Sequence, residues 1–332
     1  MIARRTVVLG LALAIAGWAG SDAVEFVQLS DIHIAKFKTA HPGLAKELEV
    51  KKDGVAHFFS ALENLRRDIA PSFLLITGDL SDAYGYEGAD GNMVYGQFDP
   101  FKSIFDRSPI PIYPVLGNHD ITQYKHAADK PKPTGDQSVA ADARKEWQRL
   151  IPNFRDGTYY TFVKRAGGTE YLFLVLDDGD GPHLHAEYVA QQLRWIQKQI
   201  AARPHEPIIL AMHIPLLQSD FWPAIKPVLA DAPNVVLSIA GHRHSDGMEE
   251  VDLGTRKLVQ VRTAALYISE NNWRKFRLRE DRIEIYATGK KDEREKTVDA
   301  NPAGALAVRK LPVDPVAHSQ VPLGAGGVRA RP

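Results

Sequence analysis

Six short runs of the chain are almost wholly apolar: Val24–Leu29 (VEFVQL), Phe73–Thr77 (FLLIT), Ile110–Leu116 (IPIYPVL), Tyr171–Leu176 (YLFLVL), Ile208–Met212 (IILAM) and Val235–Ala240 (VVLSIA). Runs this short, without polar alternation, match strands buried on both faces. Such strands need a layer packed on each side. Helical patterns between them supply candidates. Asp53 can cap a helix running to Ala70, with Val55, Phe58, Phe59, Leu62, Leu65 and Ile69 on one stripe and Pro71 as the stop. A second helix is predicted over Glu187–Arg203, with Leu193, Ile196 and Ile200 inward. Strands alternating with helices define an α/β class.

The later part of the chain changes character. Thr158–Lys164 and Tyr171–Leu176 flank RAGGTE, a hairpin signal. Lys257–Arg262, Lys275–Arg279 and Ile283–Thr288 read as an antiparallel set, so the sheets are mixed and two sheets packed together are expected. Ile121–Ala143 is polar and reads as a loop or lid. From about Lys291 to Pro332 the chain is rich in Pro, Ala, Gly and Val without periodicity, and is expected to be an extended or disordered C-terminal extension.

The first 23 residues have signal-peptide architecture: Arg4 and Arg5, an uncharged run Thr6–Ala19, and Ser21 and Ala23 as a small-x-small cleavage site before Val24. An exported, periplasmic or secreted protein is expected, with the Sec route preferred over the twin-arginine route. The domain boundaries read as 1–23 signal peptide, 24–290 main domain and 291–332 extension.

The residues that follow the strand-like runs are polar in a repeated way. After VEFVQL come Ser30, Asp31, Ile32 and His33; after FLLIT, Gly78 and Asp79; after IPIYPVL, Gly117, Asn118, His119 and Asp120; after IILAM, His213; after VVLSIA, Gly241, His242, Arg243 and His244. The carboxyl ends of strands in α/β sheets form the ligand crevice. Each fragment alone is ordinary turn chemistry. Five in order, all at strand exits, point to a metal site. Asp-x-His and His-x-His spacings aim alternate side chains to one side if the strand runs on through them. The chain contains no cysteine, which excludes thiol nucleophiles and Cys-ligated zinc and leaves His, Asp, Glu, Asn and backbone oxygen as ligands. Lys+Arg and Asp+Glu are equal at 41 each, so net charge offers no support for a nucleic-acid partner.

This ordered set resembles the calcineurin-like metallophosphoesterase superfamily, whose pattern is D-x-H, GD, GNH(D/E), an isolated H and GHxH. The resemblance spans residues 31–244. It implies a four-layer αββα sandwich of two mixed sheets flanked by helices, and a dinuclear metal centre. Carried over residue by residue, one ion takes Asp31, His33, Asp79 and His244, and the other Asp79, Asn118, His213 and His242, with Asp79 bridging. Imidazole and carboxylate ligands suit two divalent transition-metal ions, Mn, Fe, Zn, Co or Ni. The implied reaction is attack on phosphorus by a metal-activated water. His119 is the candidate proton or hydrogen-bond donor to the leaving group, and Asp120 the residue that orients it. Arg243, His126 and Tyr124 are candidate substrate contacts.

The departures narrow the group. Gly78-Asp79-Leu80-Ser81-Asp82-Ala83-Tyr84 lacks the arginine of the protein-phosphatase GDxxDRG motif. Asp82 stands where purple acid phosphatases place a tyrosine. What remains resembles the broad bacterial group that includes cyclic-nucleotide phosphodiesterases, phosphomonoesterases and sphingomyelinase-like enzymes. A small phosphate-ester substrate is the preferred partner. A membrane surface approached through Phe221-Trp222 or Trp273 is a second reading, not favoured, and a non-catalytic binding protein on the same fold is a third. His183 and His185 imitate a ligand pair but follow a Gly/Asp-rich turn. Asp177 and Asp178 end a strand but have no place in the metal pattern and read as structural.

Overall fold

The computed structural model describes residues 22–35, 40–96, 98–127, 132–179 and 186–301. The signal-like segment up to residue 21, His183, His185 and the extension beyond residue 301 lie outside the described residues.

The chain builds β1 (Val24–Leu29), α1 (Pro42–Val50), α2 (Gly54–Asp68), β2 (Phe73–Thr77), β3 (Gly85–Glu87), β4 (Met93–Tyr95), α3 (Asp99–Arg107), β5 (Ile112–Val115), β6 (Gln123–Lys125), β7 (Thr134–Asp136) and α4 (Ala140–Leu150). It continues through β8 (Tyr160–Ala166), β9 (Thr169–Val175), α5 (Ala186–Ala202), β10 (Ile208–Ala211), α6 (Trp222–Ala230), β11 (Val235–Ala240), β12 (Gly247–Asp252), β13 (Lys257–Arg262), β14 (Arg274–Leu278), β15 (Arg282–Tyr286) and β16 (Arg294–Asp299). One six-stranded sheet runs β16-β15-β14-β1-β2-β5 and a second runs β12-β13-β11-β10-β9-β8. Both are mixed: β1, β2 and β5 are parallel, while β14 joins β1 antiparallel.

Side-chain alternation explains the layers. Phe26, Phe73 and Leu75 point between the sheets, where they meet Phe173, Val175, Ile209 and Ile239. Their neighbours Val27, Leu74 and Ile76 face the opposite way, onto a layer containing Phe58, Leu62 and Leu65 of α2, Phe101 and Ile104 of α3, and Trp147 of α4. On the far side of the second sheet, Leu172, Leu174, Leu210 and Met212 face Ile196 of α5 and Ile225 and Leu229 of α6. The result is the four-layer sandwich. At its centre Phe26 stacks between Phe73 and Phe276 at centroid distances of 4.8 and 4.7 Å, with Phe173 edge-on at 5.5 Å.

Several expectations need correction. The helix predicted from Asp53 forms, but the Asp53 side chain makes no capping bond. A turn over residues 51–53 leads into the helix and leaves Asp53 itself near the helical backbone region, which is not the extended conformation a capping side chain uses. Phe59 lies outside the buried stripe and is exposed. Ile121–Ala143 is not a plain loop: it contributes β6, β7 and the start of α4, and a small third sheet runs β4-β3-β6-β7. Its strands are three residues each, too short to show a period. The boundary at residue 290 falls short, because β16 pairs with β15 and completes the first sheet. β16 reads REKTVD, a charged edge strand with no apolar face. Phe221 and Trp273, offered as surface aromatics for a membrane, are buried. No helix among the described residues is long and apolar enough to cross a membrane.

The stack at Phe26 and the exposure of Phe59 give opposite expectations for substitution. Phe26→Ala should lower stability in urea by about 3–5 kcal/mol, and Phe59→Ser by no more than about 0.5 kcal/mol. Equal losses would overturn this assignment of core and surface.

Candidate metal centre

β1, β2 and β5 of the first sheet and β10 and β11 of the second end on a common rim, so the polar residues that follow them converge. The convergence is not strand alternation. β1 stops at Leu29 and β11 at Ala240. Beyond those ends the backbone turns left-handed: φ is 52° at Asp31, 51° at His33, 50° at Asp79, 69° at His242 and 54° at His244. Ala70 is the one other non-glycine residue with positive φ among the described residues. Such conformations persist where the surroundings over-determine them, and they gather at functional sites.

Two groups of donor atoms result. The first contains Asp31 Oδ1, His33 Nε2, Asp79 Oδ2 and His244 Nε2. His33 Nε2 lies 3.2 Å from His244 Nε2 and 3.5 Å from Asp79 Oδ2, and His244 Nε2 lies 3.3 Å from Asp31 Oδ1. The second contains Asp79 Oδ2, Asn118 Oδ1, His213 Nε2 and His242 Nδ1. His213 Nε2 lies 3.2 Å from Asp79 Oδ2, 3.0 Å from Asn118 Oδ1 and 3.3 Å from His242 Nδ1. Donors bound at ~2.0–2.2 Å to one ion sit roughly 3.0–3.6 Å from their neighbours. Asp79 Oδ2 faces both groups. The Asp31, His33, Asp79 and His244 set and the Asp79, His213 and His242 set each bring their ligand atoms within 4.8 Å of one another.

The hydrogen bonds behind these atoms set their chemistry. His213 Nδ1 donates to the Thr77 carbonyl at 2.8 Å, which leaves Nε2 with a lone pair. His33 Nδ1 donates to Asp82 Oδ1 at 3.0 Å, with the same result. Asp31 Oδ2 accepts from the Ser30 hydroxyl at 2.5 Å and from the His242 N–H at 3.1 Å. Its other oxygen, Oδ1, is buried without a hydrogen-bond partner among the described residues. Acceptors therefore face acceptors, an arrangement that a cation or added protons must satisfy. Burial pushes His33 and His242 down to about 4, keeping each ring neutral with one bare nitrogen. Burial also opposes charge on His213, but the Asp79 and Asp31 carboxylates outweigh it and push that ring up to about 10. The donor set and the orphaned oxygen both fit metal ions.

Glycines make room for this. A Cβ on Gly117 would lie 2.2 Å from Asp79 Oδ1, and one on Gly241 would lie 1.9 Å from Ser30 Oγ and 2.7 Å from the Thr77 carbonyl.

The remaining predicted residues separate. The His119 N–H donates to Asp79 Oδ1 at 2.9 Å, and His119 Nδ1 donates to the Asp82 carbonyl at 2.7 Å, leaving Nε2 3.4 Å from the Tyr124 hydroxyl. Asp120 does not orient His119 as expected. Its buried carboxylate accepts from the N–H groups of Gly117, Leu80 and Ser81 and from the Ser81 hydroxyl, tying two strand exits together. The 3-10 turn over His119–Ile121 separates the two neighbouring side chains. Arg243 is exposed. His126 stacks on His41 at 4.4 Å, and its N–H donates to Glu87. Asp178 accepts from the N–H groups of His213 and Ile214, and Asp177 pairs with Arg144; both are structural.

Sequence reasoning missed Asp82, Lys51 and Tyr267. Asp82 meets His33 and Lys51, and burial, which would raise its pKa, is outweighed by them so that it falls to about 2. Tyr267 lies 3.1 Å from His244 Nδ1 through its hydroxyl. Asp82 had a signal, its place three residues after Asp79. Lys51 and Tyr267 had none.

The sequence pattern of the calcineurin-like phosphoesterase family matches residues 24–246, and the chain belongs to that family. Members of that family are generally hydrolases that bind divalent metals. Among solved structures, the chain is similar to a dimetal phosphatase from Danio rerio, at 13% identity over 84% of this chain and 98% of that one, with a TM-score of 0.55. It is also similar to GAP50, the anchor in the inner membrane complex of Plasmodium, at 13% identity over 85% of this chain and 89% of that one, with a TM-score of 0.50. At these identities the likeness is one of fold. No curated protein matches the chain.

Two outcomes are expected. Gly117→Ala and Gly241→Ala should each weaken zinc binding at least about 10-fold, read by competition with a chelating dye; unchanged affinity in both would refute the packed cradle. In the metal-free protein, the proton on His213 stabilises the fold fully below pH 6.5, and that contribution is lost as pH rises through about 10. An ion needs Nε2 bare, so zinc affinity should rise with pH and uptake at pH 7 should release a proton. Calorimetry in buffers of different ionisation enthalpy measures this.

Proposed function

We propose that the chain hydrolyses small phosphate esters, mono- or diesters, at a centre of two divalent transition-metal ions, Mn, Fe, Zn, Co or Ni. The observation that carries the reading is Asp79 Oδ2, 3.5 Å from His33 Nε2 and 3.2 Å from His213 Nε2, inside an array of acceptors from both sheets. Asp31, His33, Asp79 and His244 would hold one ion, and Asp79, Asn118, His213 and His242 the other. Bound there, the ions would supply a water activated toward phosphorus and neutralise phosphoryl oxygens.

The chain's own residues do the rest. Asp31, His33, Asp79 and His213 form a buried floor, while Asn118, His119, His242 and His244 are partly exposed, so the ester enters from their side. With His119 Nδ1 fixed on a carbonyl, Nε2 is the atom that gives a proton or hydrogen bond to the leaving oxygen. The Asp82 carboxylate lies 3.7 Å from Nδ1. Tyr124 stands beside Nε2 and is the better placed of the two substrate-contact candidates in the 121–143 segment. Asp120 acts as a positioning residue for the Asp79 and Asn118 turns. Residues 1–23 are proposed to direct export, and the exported protein should begin at Val24 by mass spectrometry.

The decisive experiment assays metal-analysed protein against a phosphomonoester, a phosphodiester, a cyclic nucleotide and a phosphocholine lipid. Activity on at least one, lost on chelation and restored by one of these metals, is expected. His119→Ala should lower kcat by about 10²–10⁴-fold with metal content unchanged. Loaded protein inert on all four would sink the enzyme reading.

A further inference from the structure

Lys51 follows directly on α1, and its N–H donates to the Leu48 carbonyl at 2.9 Å. Its side chain is 15% exposed, and the ammonium pairs with Asp82 Oδ1, on a side chain that is 7% exposed. That same oxygen accepts from His33 Nδ1 at 3.0 Å. α1 is placed by Leu44 and Leu48, both buried against Ala83 and Tyr86, so the helix docks on the residues that flank Asp82. The Ala40–Gly88 bridge ties the start of this segment to the end of β3.

We propose that Lys51 is a positioning residue that couples α1 and the small sheet to the first metal half-site, acting through Asp82 on His33. The inference rests on the two-ion reading above. Without Lys51, the Asp82 carboxylate is left buried with its ammonium partner gone. It then turns toward water, and His33 loses the acceptor that fixes Nδ1–H and aims Nε2 at Asp79. Carboxylates behind a ligating histidine fix its tautomer and orientation, and their loss typically weakens metal affinity 10–100-fold. The second half-site shares Asp79 with the first, but its histidines are fixed separately. His213 is fixed by the Thr77 carbonyl, and neither His213 nor His242 bonds to Asp82 or Lys51 among the described residues. The coupling is reciprocal: an ion at the first half-site must steady α1 as much as a docked α1 favours the ion.

The test uses the full chain loaded with cadmium-113, whose resonances distinguish two sites, together with amide exchange over residues 42–50. The first half-site is the resonance lost in His33→Gln. Lys51→Met should weaken cadmium at that site about 10-fold, leave the other within about twofold, and abolish the slowing of α1 exchange by cadmium. Lys51→Arg should restore all three. Asp82→Asn should reproduce the selective loss and serves if Lys51→Met does not fold. Equal weakening at both sites, no weakening at either, or α1 exchange still responsive to cadmium in the variants would overturn the proposal. Fewer than two resonances in the unaltered protein would instead overturn the two-ion reading itself.

Discussion

The Asp79 carboxylate is the interaction on which the site depends. One oxygen faces His33 and His213 together, and the other accepts the His119 N–H and closes against Gly117. A single side chain therefore connects the exits of β1, β2, β5 and β10. Burial is the largest single influence and pulls its carboxyl up, but the neighbouring histidines, His213 foremost, together hold it well below the ordinary carboxylate range. Its left-handed backbone is part of the same arrangement. An extended residue there would carry the side chain along the strand direction instead of across the rim.

The core was legible in the sequence wherever both faces of a strand are buried. β1, β2 and β11 run over the same residues as their apolar runs, because burial on two faces leaves few polar positions inside them. β3, β4, β6 and β7 left no such mark, since three residues on a partly exposed sheet need no apolar pattern. The same holds for β16, whose exposed charges read as solvated coil. The candidate ligands were legible as an ordered set of polar strand exits, and the structure brings all seven together. How they converge was not legible, because a positive φ at Asp or His has no sequence signature. Asp120 misled for a related reason: adjacency in the chain suggested contact with His119, and a 3-10 turn separates them.

The segments with no readable pattern collect in one place. β3, β4, β6 and β7 make the small third sheet, and α1 packs beside it through Leu44 and Leu48. This element borders His119 through Tyr124, and a cleft between them is lined by Leu44, Leu48, Lys51, Tyr86 and Pro133. The sandwich fixes the donors, and the appended sheet shapes what can stand next to them. The two meet at Lys51 against Asp82, at Tyr124 beside His119, and at Thr122, whose hydroxyl donates to the Asn118 carbonyl.

The placement of the donors also bears on how a chain without cysteine holds two sheets together. Asp31, His33, Asp79 and Asn118 belong to the first sheet's exits, and His213, His242 and His244 to the second's. His33 and His244 are 211 residues apart in sequence. An ion between them would act as a removable cross-link. On the chain-entropy argument used for disulfides, closing a loop of that length restricts the unfolded state by about 5 kcal/mol. Unlike a disulfide, such a tie would answer to chelators and free metal instead of redox potential, so the durability of the fold would follow the metal content of its surroundings.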